Sequence, residues 1–390
     1  MMPDASYGFY EFFAGGGMAR LGLGAHWHCL LANEWSAKKA SVYTEYFGRG
    51  TPKRCPELYE GDVACLTAAA TPGLADLAWG SFPCQDLSLA GAGAGLNGDR
   101  SGTFRPFWRL METLGLEGRA PRVIVLENVV GAITSHGGED FREIFRRVVE
   151  AGYRVGPLVI DAVHFLPQSR PRLFFIAIHK SLHVVPGLVL PEPNGFWHTE
   201  ALESARQSLP EDLRESWVWW RLPLPLRRRA DLASLIEDEP TGTSWHSSAQ
   251  TANLLAMMSE LNRKKVSNAQ QMRGRTIGTI YRRTRPTADG LRQQRAEVRF
   301  DGVAGCLRTP AGGSSRQIIM VVEGKRVRTR LLSSIEAARL MGIPENYPIP
   351  ANYNDAYHLF GDGLVIPVVR HIEEHLLRPL IHTSAQAKAA

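Results

Sequence analysis

Cysteine is scarce in this 390-residue chain. The five present, Cys29, Cys55, Cys65, Cys84 and Cys306, include no CxxC spacing. This argues against a disulfide framework or a cysteine-rich zinc site, and for a reducing compartment. No apolar run reaches the 18 residues that a membrane-spanning helix needs. The N-terminal stretch carries Asp4 and Glu11 where a secretory leader requires positive charge. The glycines after the first apolar run do not make GxGxxG, because Arg20 takes the last position after Gly15 and Gly17, so that turn lacks the dinucleotide fingerprint. There is no internal repeat or low-complexity tract. What is present is ordinary for a folded chain of two or three domains: 44% apolar and 22% charged residues, which excludes a disordered or fibrous protein.

The positive charge is concentrated. Residues 263–330 hold seventeen Lys and Arg against Asp289, Glu297, Asp301 and Glu323. Their net +13 leaves −7 on the remainder of a chain whose total is +6. Such focusing favours a polyanionic partner. Arginine alternates there with apolar residues and glycine, as in Ile277-Gly278-Thr279-Ile280-Tyr281-Arg282-Arg283, and recurs at Arg308 and Arg316. That pattern suits strands and loops that present guanidinium forks to phosphates and base edges.

Four continuous apolar runs mark residues 1–180: Tyr7–Phe13, Leu77–Phe82, Val123–Leu126 and Leu173–Ile178. Separated by helical stretches, they predict parallel strands buried on both faces of a doubly wound α/β sheet. The ligand of such a sheet lies beyond the carboxyl ends of its strands. Phe13-Ala14-Gly15-Gly16-Gly17 follows the first run and offers close backbone approach and helix N-terminal N–H groups. Asn33-Glu34-Trp35 follows Cys29–Ala32 and places an acid for ribose hydroxyls and a ring for an adenine. Gly61-Asp62 adds an acceptor for an adenine amine. Phe82-Pro83-Cys84-Gln85 brings a thiol to the sheet edge, and Glu127-Asn128-Val129 brings a carboxylate to the same crevice. Read as extended, Gln168-Ser169-Arg170-Pro171-Arg172 sets Gln168, Arg170 and Arg172 on one face. Two guanidiniums there suit lowering a thiol pKa, orienting Glu127 or gripping a phosphate. Each block alone reads equally as a plain loop, an inert thiol or a surface pair; their order carries the weight.

Residues 181–262 lose the strand–helix rhythm and gather Pro and Trp, which places a domain boundary near 180. Residues 331–378 turn helical again, with a Ser signal before Ile335, a stop at Gly342 and Pro344, and helical spacing of Val365, Ile366, Val369, Ile372 and Leu376.

Together the blocks resemble the DNA (cytosine-5) methyltransferases of bacterial restriction-modification type. Ser334–Pro344 and Phe360-Gly361-Asp362-Gly363 extend the match along nearly the whole chain, except for about 180–325, where that family keeps a variable target-recognition region. The resemblance implies a Rossmann-like α/β sheet dependent on S-adenosylmethionine, with a smaller, irregular recognition domain. The expected division is a catalytic and cofactor-binding domain over 1–180, target recognition over 181–325, and C-terminal helices over 326–390 that complete the catalytic domain. It assigns Cys84 as nucleophile at C6 of a flipped cytosine in duplex DNA, Glu127 at N3 and the exocyclic amine, Arg170 at the base and Arg172 on Glu127. For S-adenosylmethionine it assigns Phe13 and Gly15 to the methionine end, Glu34 to the ribose, and Trp35 and Asp62 to the adenine, with Ala14, Gly17, Pro83, Phe104 and Asp362 as further contacts. Asp362 stands where the family usually has Asn, and Glu11 where it more often has Asp. DNA contacts fall to Gln85 and Ser88, in a Gly/Ala-rich loop like the family's mobile one, and to Arg282, Arg283, Arg308 and Arg316. The product is S-adenosylhomocysteine, no metal is needed, and a monomer in the bacterial cytoplasm is expected. A cognate restriction endonuclease is a functional rather than a physical partner on this reading.

Three other readings compete. An RNA cytosine methyltransferase of the same family would share the catalytic blocks, but the long basic segment favours duplex DNA. A catalytically dead relative would have lost Cys84 or Glu127, and both are present. His371-Ile372-Glu373-Glu374-His375 matches the HxxEH pattern of a metallopeptidase, yet it lies in a helix already explained by core spacing.

Overall fold

The computed structural model describes residues 7–48, 55–83, 103–228, 230–286, 291–309 and 316–382. All four apolar runs become strands. β1 (Tyr7–Phe12), β2 (Trp27–Glu34), β3 (Leu58–Glu60), β4 (Leu77–Gly80), β5 (Val123–Val129), β6 (Tyr153–Asp161) and β7 (Pro171–His179) form one sheet in the order β3-β2-β1-β4-β5-β7-β6. The first five pair parallel. Helices α1 (Met18–Leu23), α2 (Ala37–Phe47), α3 (Phe104–Leu116) and α4 (Glu139–Glu150) lie along the connections. Every residue of β1 and β4 is buried, as a sheet covered on both faces requires.

The direction of β7 differs from the all-parallel expectation. It pairs antiparallel with both β5 and β6. Only residues 162–170 join β6 to β7, too few for a crossover to a parallel neighbour, so the chain reverses and slots β7 between the two. β6 has no clear sequence signal because Gly156 and Pro157 interrupt it. Both fit its place at the end of the sheet. An edge strand tolerates proline, and a Cβ on Gly156 would sit 2.1 Å from Nε1 of Trp220.

Residues 181–224, set apart by composition, pack on this sheet. β8 (Val189–Leu190), α5 (Glu200–Ser208), α6 (Glu211–Arg214) and β9 (Trp219–Trp220) follow in turn. Trp220 Nε1 donates to the Ile176 carbonyl at 3.1 Å, and Trp217 stacks on Phe145 with centroids 5.2 Å apart. By contacts, the described residues of 1–161, 171–224 and 366–390 form one compact unit, and those of 162–170 and 225–365 form the other.

The second unit opens with α7 (Leu232–Leu235), α8 (Ser248–Ala256) and α9 (Glu260–Gln271). β10 (Arg275–Pro286), β11 (Arg292–Arg299), β12 (Ile318–Glu323) and β13 (Arg326–Leu331) then make an antiparallel sheet in the order β11-β10-β12-β13. Its core joins Ile280, Val298, Met320 and Val322 to Leu254, Met258 and Val266. β10 pairs with β12 only as far as Ile280, whereas β11 follows it to Pro286. Beyond Tyr281 the pair is therefore a two-stranded ribbon. α10 (Ser334–Met341) and α11 (Tyr353–Asp362) close this unit. The cap of α10 is Ser333 rather than Ser334, because Glu336 completes a capping box with it. α12 (Ile366–Ile372) belongs to the first unit and packs so closely on α1 that a Cβ on Gly22 would lie 2.4 Å from Val369. Among the described residues, no helix is long and apolar enough to cross a membrane.

One ion pair holds the second unit from inside. Arg330 and Glu336 have no exposed side-chain surface and meet through two bonds of 2.6 and 2.7 Å. The same carboxylate accepts the backbone N–H groups of Ser333 and Glu237, each at 2.8 Å. Removing one partner of such a pair strands a buried charge. Glu336→Ala should lower the opening free energy of β12 and β13, read by amide hydrogen exchange, by about 3–5 kcal/mol. A loss below about 1 kcal/mol would show that the pair does not hold the unit.

Candidate active site

β1 ends at Phe12, and the chain turns sharply into α1 through left-handed residues: Phe13 (φ 58°), Gly15 (φ 56°) and Gly17 (φ 79°). Phe13 carries a side chain in this costly conformation. Its neighbours hold it: Ala14 N–H donates to the Asn33 carbonyl at 2.9 Å and Gly17 N–H to the Ala14 carbonyl at 2.8 Å. The two glycines serve different ends. A Cβ on Gly17 would fall 2.3 Å from the Phe47 ring, whereas one on Gly15 would meet nothing within 4 Å. Gly17 lets α2 pack, and Gly15 leaves its backbone open to approach.

The end of β2 supplies acceptors beside this turn. Glu34, 4% exposed, accepts the N–H of Gly15 at 2.7 Å and of Ser36 at 2.8 Å. Asn33 donates to the Gly61 carbonyl at 2.8 Å, and Gly61 N–H donates to the Glu34 carbonyl at 3.0 Å. These bonds tie β2 to the end of β3, where Asp62 stands exposed and caps the turn Val63–Cys65 by accepting Ala64 N–H at 2.9 Å. Trp35 is 75% exposed. A bare indole beside a buried and an exposed carboxylate offers one face for stacking and acceptors for hydroxyl and amine donors.

The ends of β4 and β5 are joined by Asn128, whose amide donates to the Phe82 carbonyl at 3.4 Å. Pro83 follows, half-buried. Cys84, Gln85 and Ser88 lie outside the described residues. Glu127, 7% exposed, is met by Arg172 Nε at 3.0 Å. Because β7 runs antiparallel, its first residues stand beside the last of β5, with Arg172 opposite Val129. Phe104 is fully buried, its ring 5.0 Å from that of Phe82 and 5.8 Å from that of Trp108.

Gln168, Arg170 and Arg172 do not act as one face. The strand begins at Pro171, and Gln168 and Arg170 before it are buried in a loop of the second unit. Arg170 donates to the carbonyls of Leu307 at 2.8 Å, Gly361 at 2.8 Å and Gly363 at 2.7 Å, and to Cys306 Sγ at 3.4 Å. Its guanidinium therefore clasps the segment that displays the exposed Asp362. Gln168 donates to the Leu340 carbonyl at 2.7 Å and accepts Leu307 N–H at 3.2 Å. The buried glutamine and the clasp are contacts that the sequence spacing does not signal.

A family model of C-5 cytosine-specific DNA methylases matches residues 7–378. The chain belongs to that family. The type II methyltransferase M.HpaII of Haemophilus parainfluenzae is 24% identical over 392 residues, spanning 95% of this chain and 89% of that protein. M.HaeII of Haemophilus aegyptius is 26% identical over 377 residues, spanning 96% and 94%. Among solved structures, Dnmt2 of S. pombe aligns with a TM-score of 0.56 at 16% identity, covering 96% of this chain and 99% of that one. The methyltransferase EhMeth of Entamoeba histolytica aligns with a TM-score of 0.58 at 12% identity and the same coverage. At these identities the structures share the fold.

On this methylase the remaining candidate residues lie in the second unit. Arg282 is exposed on β10. Arg283, half-exposed and 3.5 Å from Glu297, stands directly opposite Arg295. Arg308 is exposed, and half-buried Arg316 lies over the Tyr353 ring and donates to Asn354. His371, of the HxxEH pattern, bonds through Nε2 to the Pro223 carbonyl at 2.9 Å and packs by Trp197. Among the described residues, no three His, Cys, Asp or Glu are placed to hold a metal.

Proposed function

We propose that this methylase is a site-specific DNA (cytosine-5) methyltransferase of a type II restriction-modification system, acting through a covalent bond from Cys84 to the target base. The observation that carries the reading is the Arg172–Glu127 pair at the sheet edge, one strand from Phe82-Pro83, which lead directly to Cys84. S-adenosylmethionine, when bound, supplies the electrophilic methyl group. The open backbone at Gly15, the buried carboxylate of Glu34 and the bare Trp35 ring fit its methionine, ribose and adenine parts, with Phe13, Ala14, Gly17, Asp62 and Pro83 around them.

C5 of cytosine is too weak a nucleophile unless C6 is first engaged. The Cys84 thiolate forms a bond to C6 while Glu127 holds N3 and the exocyclic amine, which leaves electron density at C5. C5 takes the methyl group and loses its proton. The Cys84–C6 bond then breaks and aromaticity returns. The base must leave the helix stack to reach this crevice. Recognition falls mainly to 181–325, with the Arg282–Arg283 ribbon as its basic edge, because a two-stranded ribbon fits the major groove.

The test is incubation with labelled S-adenosylmethionine and mixed-sequence duplex DNA, followed by sequencing for 5-methylcytosine at single-base resolution. Methyl at one recurring motif is the expected result. Transfer to RNA alone moves the protein to the RNA branch, and no transfer to either overturns the reading. Cys84→Ser should abolish turnover and leave duplex binding intact; retained turnover removes Cys84 as nucleophile. Arg283→Ala should cost about 1–3 kcal/mol in cognate binding or relax site choice. Unchanged affinity and unchanged specificity would remove the ribbon as a reader.

A further inference from the structure

Glu11 is the most deeply buried carboxylate on the cofactor side of the sheet, at 1% exposure. It sits at the end of β1, two residues before the left-handed Phe13. α1 begins immediately after the turn, and its own cap residue, Gly17, has no side chain with which to satisfy the first helical N–H groups. Glu11 does this from the neighbouring strand, accepting the backbone N–H of Arg20 at 3.2 Å.

Titratable groups surround Glu11 on the elements packed around it. From α2, Tyr43 donates its hydroxyl at 3.4 Å. From α1, the Arg20 guanidinium bonds to that same hydroxyl at 3.1 Å and to Glu57, before β3, at 2.9 Å, and lies 4.2 Å from the Phe47 ring centroid. From β2, the Cys29 thiol reaches the Tyr43 hydroxyl at 3.6 Å. Two carboxylates thus hold this stretch: Glu34 on Gly15 N–H at the middle of the Phe13–Gly17 turn, and Glu11 on the first turn of α1 that follows it.

We propose that Glu11 is a positioning residue for cofactor binding: its carboxylate caps α1 from within the sheet and so holds the Phe13–Gly17 turn in the shape that receives S-adenosylmethionine. The proposal rests on the cofactor reading above. A charge-assisted bond holds the cap more firmly than a neutral one, so the charge state of Glu11 matters. Burial raises its pKa from the ordinary carboxyl range to about 7. Cofactor affinity should therefore be highest above this value and weaken as pH falls through it, while Glu11 gains its proton.

Calorimetric titration of the full chain with S-adenosylmethionine between pH 6 and 8.5 tests this, with Glu11→Gln and Glu11→Asp beside the wild type. Glu11→Gln should bind the cofactor about tenfold more weakly at pH 8 and lose the wild-type pH dependence around 7. Its loss should fall on KM for the cofactor rather than on KM for DNA, and Glu11→Asp should recover part of it. A wild type that binds no S-adenosylmethionine overturns the cofactor reading itself. A wild type that binds, with Glu11→Gln matching its affinity and pH profile, overturns this inference alone. Parallel losses of cofactor affinity, duplex affinity and melting temperature would make Glu11 a general structural residue and also overturn it.

Discussion

Parallel pairing forces β1 to β5 to stop on one edge of the sheet, where backbone groups are left without strand partners. The side chains that satisfy them are the polar residues at the strand ends. Glu34 takes the amide of Gly15, Asn33 gives to Gly61, and Asn128 gives to the Phe82 carbonyl. Each bond fixes one loop against the next strand. On the proposed reading the same groups border the site, so the hydrogen-bond satisfaction of the edge and the preorganisation of the site are one requirement.

β7 adds what a purely parallel sheet lacks. A parallel strand would begin at the far edge and carry Arg172 away from Glu127. Reversed, it starts where β5 ends and places a guanidinium on the carboxylate. This reversal follows from the short 162–170 connection, and it is not legible in an apolar run. Leu173–Ile178 says strand, buried on both faces; it says nothing of direction. Gly156 and Pro157 concealed β6 for a related reason, since both are explained by an edge position and by Trp220, neither of which is local in sequence.

The candidate residues could be located because they fall in short blocks that follow strands, and the apolar runs of β1, β4 and β5 announced themselves. Glu34, Asp62, Glu127 and Trp35 stand near or just past strand ends, as such blocks require. The period-two argument that grouped Arg170 with Arg172 did not survive, because extension begins only at Pro171 and Arg170 bonds to carbonyls far along the chain. Phe104 had a place in the sequence order but lies wholly in the core. Glu11 was visible as an acid before the Gly turn, where the resembled family more often has Asp, but its partners come from α1 and α2 and require the folded helix layer to be seen.

The ribbon beyond Tyr281 has a different standing from the sheet it extends. Arg282, Thr284, Arg292 and Gln294 are exposed, and none belongs to the apolar cluster that holds β10 to β12. Arg283 faces Arg295 across it, a like-charge pairing that a strand tolerates only at some expense. The four exposed positions are nearly free to vary: exchanging their side chains leaves the core volume and the ladder intact. A lineage of these proteins can then drift in what its ribbon presents while its catalytic sheet stays fixed, and a library built on these few positions would sample new surfaces on an unchanged scaffold.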